Sequence, residues 1–352
     1  MDVNNLVDGI FGIDQKTKEA NLLTKLSELT AYHSHNCKEY SSFLNAISWK
    51  TASSIEELPY LPVRIFKEMK LKSIPDEDVF RTLTSSGTTG DNLSHIYLDK
   101  EAAKVQSQLL VQTLSEVIGK ARLPMLIIDS KAVTAGTSFS ARGAGVLGMM
   151  NLGRKHAFAL DNEMKLDKDA VREFLKVHGG SPFLIFGFTF MVWTYLANLQ
   201  ESIDIDLSHG TLIHSGGWKK LADTGVSHDE FRRQLNSRFG LAKLFNFYGM
   251  VEQIGTIFIE SEAGDGSLTC PSFADVIIRD PISLKPLPNG EIGLIQTIST
   301  LPVSYPGHSI LTEDLGFIEG VDDQKRLGKR FRVQGRLLRA EVRGCSDTFR
   351  QQ

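Results

Sequence analysis

Short apolar runs and amphipathic stretches take turns through the first two thirds of the chain. The apolar runs are MLIID (125–129), HAFAL (156–160), FLIFGF (183–188), TLIHSGG (211–217) and KLFNFYG (243–249), and helical spacing recurs over 17–30, 100–118, 168–177, 189–199 and 228–239. Strand alternating with helix predicts a mainly parallel sheet covered on both faces, an α/β fold. Beyond residue 255 the pattern changes. TIFIES, FADVIIRD, EIGLIQTIST and KRFRVQG are strand-like and separated by turns such as DPISLKPLPNG, which predicts a smaller antiparallel unit. The chain is therefore read as a core over 1–255, a β-rich subdomain over 256–334 and a short basic segment over 335–352.

A length of 352 residues with 41% hydrophobic and 23% charged side chains suits about two domains with a sizeable core, and excludes a disordered chain. The longest apolar stretch, 183–199, is interrupted by Gly187, Thr189, Thr194 and Asn198, so it predicts a buried strand followed by a helix and no membrane span. The start, MDVNNLVDGIFGIDQK, lacks the basic and apolar regions of a signal peptide. Cys37, Cys270 and Cys345 are far apart with no CxxC, which indicates neither a disulfide framework nor a thiolate metal site and fits a reducing cytoplasm. A net charge of -3 gives no overall pull toward nucleic acid or anionic membrane. That average hides nine basic and two acidic side chains between 325 and 350. Such a run binds phosphates, an acidic partner or the acidic body itself, or is simply solvated.

The segment Thr84-Ser85-Ser86-Gly87-Thr88-Thr89-Gly90 lies between two strand-like runs, VFRTL and HIYLD. Its glycines permit tight turns with exposed N–H groups and its hydroxyls add donors, as an anion nest for a polyphosphate requires; the same composition also makes a plain hairpin turn. No GxxxxGK[ST] is present, so it is not a Walker loop. Further on, HSGGWKK (214–220) ends a strand in consecutive glycines, where parallel sheets bind ligands. NFYGMVE (246–252) ends the next strand in an aromatic, a glycine and a carboxylate, TEDLG (312–316) places an acid in a turn, and Gly335-Arg336 opens the basic segment. Gly143, Gly145 and Gly148 satisfy GxGxxG, but the strand before them ends at Asp129, too early for a dinucleotide fingerprint, so SARGAGVLGMM reads as a small-residue helix packed on a sheet. His33 and His35 have no partner at metal spacing, and His214 is either a site residue or a hydrogen-bonded strand-end histidine. Phe183, Phe186, Phe188, Phe190 and Trp193 either line an acyl pocket or pack the core.

Taken in order, these segments resemble the motifs of the adenylate-forming enzymes, which convert a carboxylic acid and ATP into acyl-AMP and pyrophosphate. LPYLPVRIFKEMKLKS (58–73), TSSGTTGDNLSHIYLD (84–99), SARGAGVLGM (140–149), FGFTFMVW (186–193), SGGWKK (215–220) and RGCS (343–346) are more closely similar to the LuxE-type acyl-protein synthetases. The resemblance implies the adenylate-forming large domain with a small antiparallel β subdomain and a very short C-terminal segment. It implies that Ser85, Ser86, Gly87, Thr88, Thr89 and Gly90 hold the phosphates of ATP, that Gly216 and Gly217 line the adenine with Tyr248 stacked on it, that Asp314 holds the ribose, that Arg336 sits at a hinge and that Glu252 binds Mg2+. Cys345 would accept the acyl group as a thioester and pass it to an acyl reductase. The phosphate loop lacks the lysine of most acid ligases and only sixteen residues follow Arg336, so cationic help for the leaving phosphates is expected from Lys219, Lys220 or the arginines of the basic segment. A ligase acting on coenzyme A or on a sugar amine, and a non-catalytic nucleotide-binding scaffold, are the alternatives to a fatty-acid:protein ligase.

Overall fold

Apolar runs buried on both faces form the parallel strands that organise the molecule. The computed structural model describes residues 9–85, 93–134, 141–199, 203–216 and 226–337. Its strands are β1 (Leu61–Pro62), β2 (Arg81–Thr84), β3 (His95–Leu98), β4 (Leu123–Ser130), β5 (Gly153–Leu160), β6 (Phe183–Phe188), β7 (Gly210–Ser215), β8 (Lys243–Gly249), β9 (Ile257–Glu260), β10 (Leu268–Thr269), β11 (Ala274–Arg279), β12 (Gly293–Ser299), β13 (Ser309–Val321) and β14 (Lys329–Arg336). Twelve of them form one sheet, ordered β11-β12-β13-β14-β10-β9-β8-β7-β6-β4-β5 with β1 added beside β13, while β2 and β3 make a separate hairpin. From β5 to β8 the pairing is parallel; from β8 to β11 it is antiparallel. The ladder runs without a break from Phe247↔Ile259 to Gly249↔Ile257, so the two kinds of sheet are one hydrogen-bonded surface.

The helices are α1 (Gln15–Asn36), α2 (Lys38–Ala46), α3 (Ile65–Glu68), α4 (Lys100–Ile118), α5 (Ala141–Met150), α6 (Lys168–His178), α7 (Thr189–Val192) and α8 (His228–Phe239). Polar caps start them where the sequence supplies an Asp or Ser: Asp14, Asp99, Asp167 and Ser227 each accept a backbone N–H three residues on. The main core lies between the parallel strands and their helices and continues under β9, β10 and β11. A second core joins α2, α3 and the hairpin through Tyr40, Phe66, Ile96, Leu98 and Tyr305. A third lays Leu22, Leu26 and Leu29 of α1 on Ile277 and Ile298 of the antiparallel half.

Most predicted elements are present, and α5 packs closely as expected, a Cβ at Gly145 lying 3.1 Å from the Phe188 ring. Two expectations are corrected. The helix expected over 189–199 is four residues of α-helix followed by a π-turn, Trp193–Ala197. Asp314 is in the interior of the thirteen-residue strand β13 and in no turn. Consecutive acids and a glycine imitate a turn, but Arg336 stands opposite Asp314 and offsets the charge. Of the cationic run counted from 325, Arg326, Lys329, Arg330, Arg332 and Arg336 lie in or beside β14 and are paired with Glu262, Asp275, Asp323, Glu319 and Glu313 respectively, so its described part is bound to the acidic body, one of the alternatives the charge pattern leaves open.

Candidate active site

The C-terminal ends of β7 and β8 lie side by side, with Ser215 opposite Phe247 and the Ser215 hydroxyl donating to the Phe247 carbonyl at 2.6 Å. This is the end of a parallel sheet at which ligands bind, here at the line where the pairing turns antiparallel. Gly216 follows Ser215 in the left-handed region at φ +69°, which a side chain disfavours; an added Cβ would meet only the Phe188 ring, at 3.7 Å.

Tyr248 comes next on β8. Its hydroxyl donates to Asp314 Oδ2 at 2.7 Å. Burial, then the Asp314 charge and this hydrogen bond, push the phenol well above its usual value, so Tyr248 is a neutral donor. The Asp314 N–H donates to the Thr312 hydroxyl at 3.1 Å, and that hydroxyl donates to the Ile295 carbonyl at 2.7 Å. Arg336 bridges two acids, with Nε 3.6 Å from Asp314 Oδ1 and a terminal nitrogen 3.0 Å from Glu313 Oε2. Arg64 reaches Glu313 from the other side. Two carboxylates and two guanidiniums thus meet on β13, next to the aromatic at the end of β8.

Four residues after Tyr248, Glu252 is carried by a short 3₁₀ turn, Val251–Gln253. The residue is only 4% exposed, and its carboxylate accepts the Ser94 hydroxyl at 2.8 Å. The Tyr305 hydroxyl donates to the Glu252 backbone carbonyl at 3.0 Å, and Gln253 Nε2 donates to the Gly307 carbonyl at 2.9 Å. A Cβ at Gly307 would come within 2.8 Å of the Glu252 carbonyl oxygen and 2.3 Å of the Tyr305 ring, so only glycine fits there. Ser94 also closes the neck of the β2–β3 hairpin: its N–H donates to Ser85 Oγ at 3.0 Å, and the Ser85 N–H donates to its carbonyl at 3.1 Å.

The structure therefore brings Tyr248, Asp314 and Arg336 together and ties Glu252 to Ser85 through Ser94. Gly216 stands one residue beyond the end of β7, beside β8. Ser86, Gly87, Thr88, Thr89, Gly90, Gly217, Lys219, Lys220 and Cys345 lie outside the described residues. Sequence reasoning missed Ser94, Arg64 and Tyr305, although the first two stand inside the runs that carry the family resemblance. It also missed Asp129, buried at the end of β4 with Arg142 Nε 3.4 Å from its carboxylate; burial raises its pKa and Arg142 opposes the rise. His214 is a core residue: fully buried, with Nδ1 2.9 Å from the Thr189 hydroxyl and its ring 4.9 Å from Phe231, it is held neutral by burial at a pKa of about 3. Phe183 and Phe186 are sealed in the core as well, whereas Phe190 and Trp193 are half-buried and Phe188 is the aromatic that approaches Gly216.

Among the described residues no group of three or more His, Cys, Asp or Glu is placed to hold a metal ion by itself, and no helix is long and apolar enough to cross a membrane. Cys37 and Cys270 are each 1% exposed, and burial raises both thiols above their ordinary pKa.

Residues 11–352 match the family model described as acyl-protein synthetase, LuxE. The chain is 24% identical over 334 residues to the long-chain-fatty-acid–luciferin-component ligase of Aliivibrio fischeri, covering 90% of this chain and 84% of the relative. It is likewise 24% identical over 341 residues to the protein of that name from Vibrio harveyi, covering 91% and 85%. Among solved structures, 2-hydroxyisobutyryl-CoA ligase in an open conformation with 2-HIB-AMP and CoA superposes with a TM-score of 0.71 at 15% identity, over 92% of this chain and 76% of that one. At that identity the likeness is one of fold, and the fold is that of acyl-adenylating ligases.

Proposed function

Because the chain belongs to the LuxE acyl-protein synthetase family, we propose that it activates a long-chain fatty acid with ATP, loads the acyl group on Cys345 and delivers it to an acyl reductase in the cytoplasm. In the first half-reaction a carboxylate oxygen of the acid attacks the α-phosphorus of ATP, the bond to the bridging oxygen breaks and pyrophosphate leaves. In the second, the Cys345 thiolate attacks the acyl carbon and AMP leaves with the electrons of the broken C–O bond. Residues 1–255 would supply the nucleotide and acid sites, 256–334 the ribose side, and 335–352 the carrier.

The observation that carries this reading is the convergence of Tyr248, Asp314 and Arg336 at the end of β8, four residues from a buried Glu252 that shares Ser94 with the root of the Ser85 loop. Asp314 would accept hydrogen bonds from the ribose hydroxyls and Tyr248 would pack on the adenine, with Gly216 and Gly217 beside it. Ser85, Ser86, Gly87, Thr88, Thr89 and Gly90 would hold the phosphates, with Lys219 or Lys220 as the nearby cation. A single buried carboxylate with no protein-only cluster around it among the described residues fits Mg2+, which binds through one or two carboxylates together with substrate phosphates. Glu252 would hold the ion, whose charge offsets that developing on the pyrophosphate. Cys345 as carrier is supported by the sealing of Cys37 and Cys270, which leaves it as the remaining thiol of the three in the sequence.

The test is to incubate the protein with ATP, Mg2+ and a panel of radiolabelled acids while following pyrophosphate exchange and protein-bound label together. Exchange with hydroxylamine-sensitive label on Cys345 is the expected result. Exchange without protein label would make the chain a ligase to coenzyme A or an amine; absence of exchange with every acid would make it a scaffold.

A further inference from the structure

Ser94 is fully buried and has each of its polar groups committed. Its N–H goes to Ser85 Oγ at 3.0 Å and its carbonyl receives the Ser85 N–H at 3.1 Å, one side-chain and one backbone bond just past the last β2–β3 pair, Thr84↔His95. Its hydroxyl leaves the hairpin and donates to Glu252 Oε1 at 2.8 Å, across 158 residues of sequence. Ser85 is 8% exposed and Glu252 4%, so water competes little for these bonds. Glu252 is also held from behind, its backbone carbonyl taking the Tyr305 hydroxyl at 3.0 Å.

We propose that Ser94 is a positioning residue that sets the Glu252 carboxylate against the serine-bearing strand end and so fixes where Mg2+ bound with ATP sits. This rests on the reading of Glu252 given above and deepens it. A hydroxyl-to-carboxylate bond within a buried pair is charge-assisted and directional. Without it the carboxylate keeps its place in the chain but loses the contact that aims it. Packing is a minor part of the role, because the methylene of serine remains in Ser94→Ala, whereas Ser94→Thr keeps the hydroxyl and adds a methyl group.

The variants Ser94→Ala and Ser94→Thr are compared with the wild type in two measurements. The first is the Mg2+ concentration for half-maximal pyrophosphate exchange. Ser94→Ala is expected to raise it roughly tenfold or more, as the loss of a hydrogen bond to a charged group implies, with the acid KM unchanged. The threonine variant should restore most of the wild-type value. The second needs no turnover: the rise in melting temperature given by ATP with Mg2+, less that given by ATP with EDTA. Measured at the wild-type half-maximal Mg2+ concentration, this Mg2+-dependent increment should be similar in the wild type and in Ser94→Thr, and clearly smaller in Ser94→Ala. An alanine variant with unchanged Mg2+ dependence in both measurements overturns the proposal, as does a threonine variant as impaired as the alanine one. A wild type that shows the increment but no exchange with any acid would overturn the proposed reaction and leave Ser94 supported by the melting data. A wild type with neither increment nor exchange overturns both.

Discussion

Tyr248 and Asp314 are joined by a 2.7 Å hydrogen bond that links the last parallel strand to the middle of the antiparallel half, 66 residues apart in sequence. The bond gives Asp314 a fixed rotamer, and Arg336 on the neighbouring strand places a guanidinium nitrogen 3.6 Å from its other carboxylate oxygen.

Asp314→Asn should therefore raise the ATP KM by about tenfold to a hundredfold, the value of one or two charge-assisted hydrogen bonds, and leave the acid KM alone. Tyr248→Phe should act in the same direction and more weakly. Because burial and Asp314 push the Tyr248 phenol upward, the tyrosine stays protonated through the ordinary tyrosine range near pH 10, so the wild-type ATP KM should show no Tyr248 titration between pH 7 and 9.5. Steady-state exchange kinetics across that range check both statements; an unchanged KM in Asp314→Asn removes the residue from the site.

Glu252→Gln keeps shape and can still receive the Ser94 hydroxyl, but removes the charge. Loss of one transition-state contact of this kind is worth about 3 to 4 kcal/mol, so exchange should fall by about two to three orders of magnitude in a protein that melts normally. Near-wild-type exchange would assign the metal to other ligands.

For the thiols, native protein treated with a maleimide should be modified at Cys345 and spared at Cys37 and Cys270, whose burial both hides them and raises their pKa. Cys345→Ser should retain acid-dependent pyrophosphate exchange and lose the hydroxylamine-sensitive acyl label. Peptide mapping that finds the label on Cys37 or Cys270 would sink the carrier assignment.

Stability should depend on pH through the buried histidines. The His33 ring meets Pro302 O at Nε2 (3.0 Å) and the Ser73 hydroxyl at Nδ1 (2.7 Å); since a carbonyl only accepts, Nε2 carries the proton and Nδ1 accepts from Ser73. Burial lowers its pKa from 6.5 to about 4. The folded state thus refuses a proton that the unfolded chain takes up below pH 6.5, so the contribution is complete above 6.5 and is lost as pH falls toward 4, to a total of about 3 kcal/mol. His214 and His308 are lowered in the same sense. Unfolding free energy measured from pH 7 to 4 should fall, and His33→Gln should lessen the slope by up to about one proton. A variant with the wild-type slope would show that His33 is not one of the groups responsible.

How much of this was legible in the sequence follows from how local each cause is. FLIFGF announces a strand buried on both faces because every side chain in it is apolar, and the helical spacing over 100–118 and 168–177 announces α4 and α6 because its period lies within a few neighbouring residues. The strand β13 was misread because the charges that neutralise Glu313 and Asp314 come from Arg64 and Arg336, 249 and 22 residues from the acids they meet. Ser94 gave no signal for the same reason: its partner is fixed by where the 3₁₀ turn after β8 crosses beneath a hairpin that pairs with nothing else in the large sheet. The motifs marked which segments matter, and tertiary contact decided which atoms meet.

The order of strands also dictates when the site can first exist during synthesis. Among the described residues β14 is the last strand made, yet it takes a central place, between β13 and β10. Until residues 329–336 leave the ribosome, β10 and β13 lack their common neighbour, and Arg336 cannot reach Asp314. A nascent chain halted before Lys329 would hold a completed parallel half beside strands with an open hydrogen-bonding edge, the kind of surface that invites aggregation or chaperone capture. Assembly of the candidate site in this sense waits for β14, and loss of residues 329–336 would do more than remove Arg336: it would leave the sheet in two pieces.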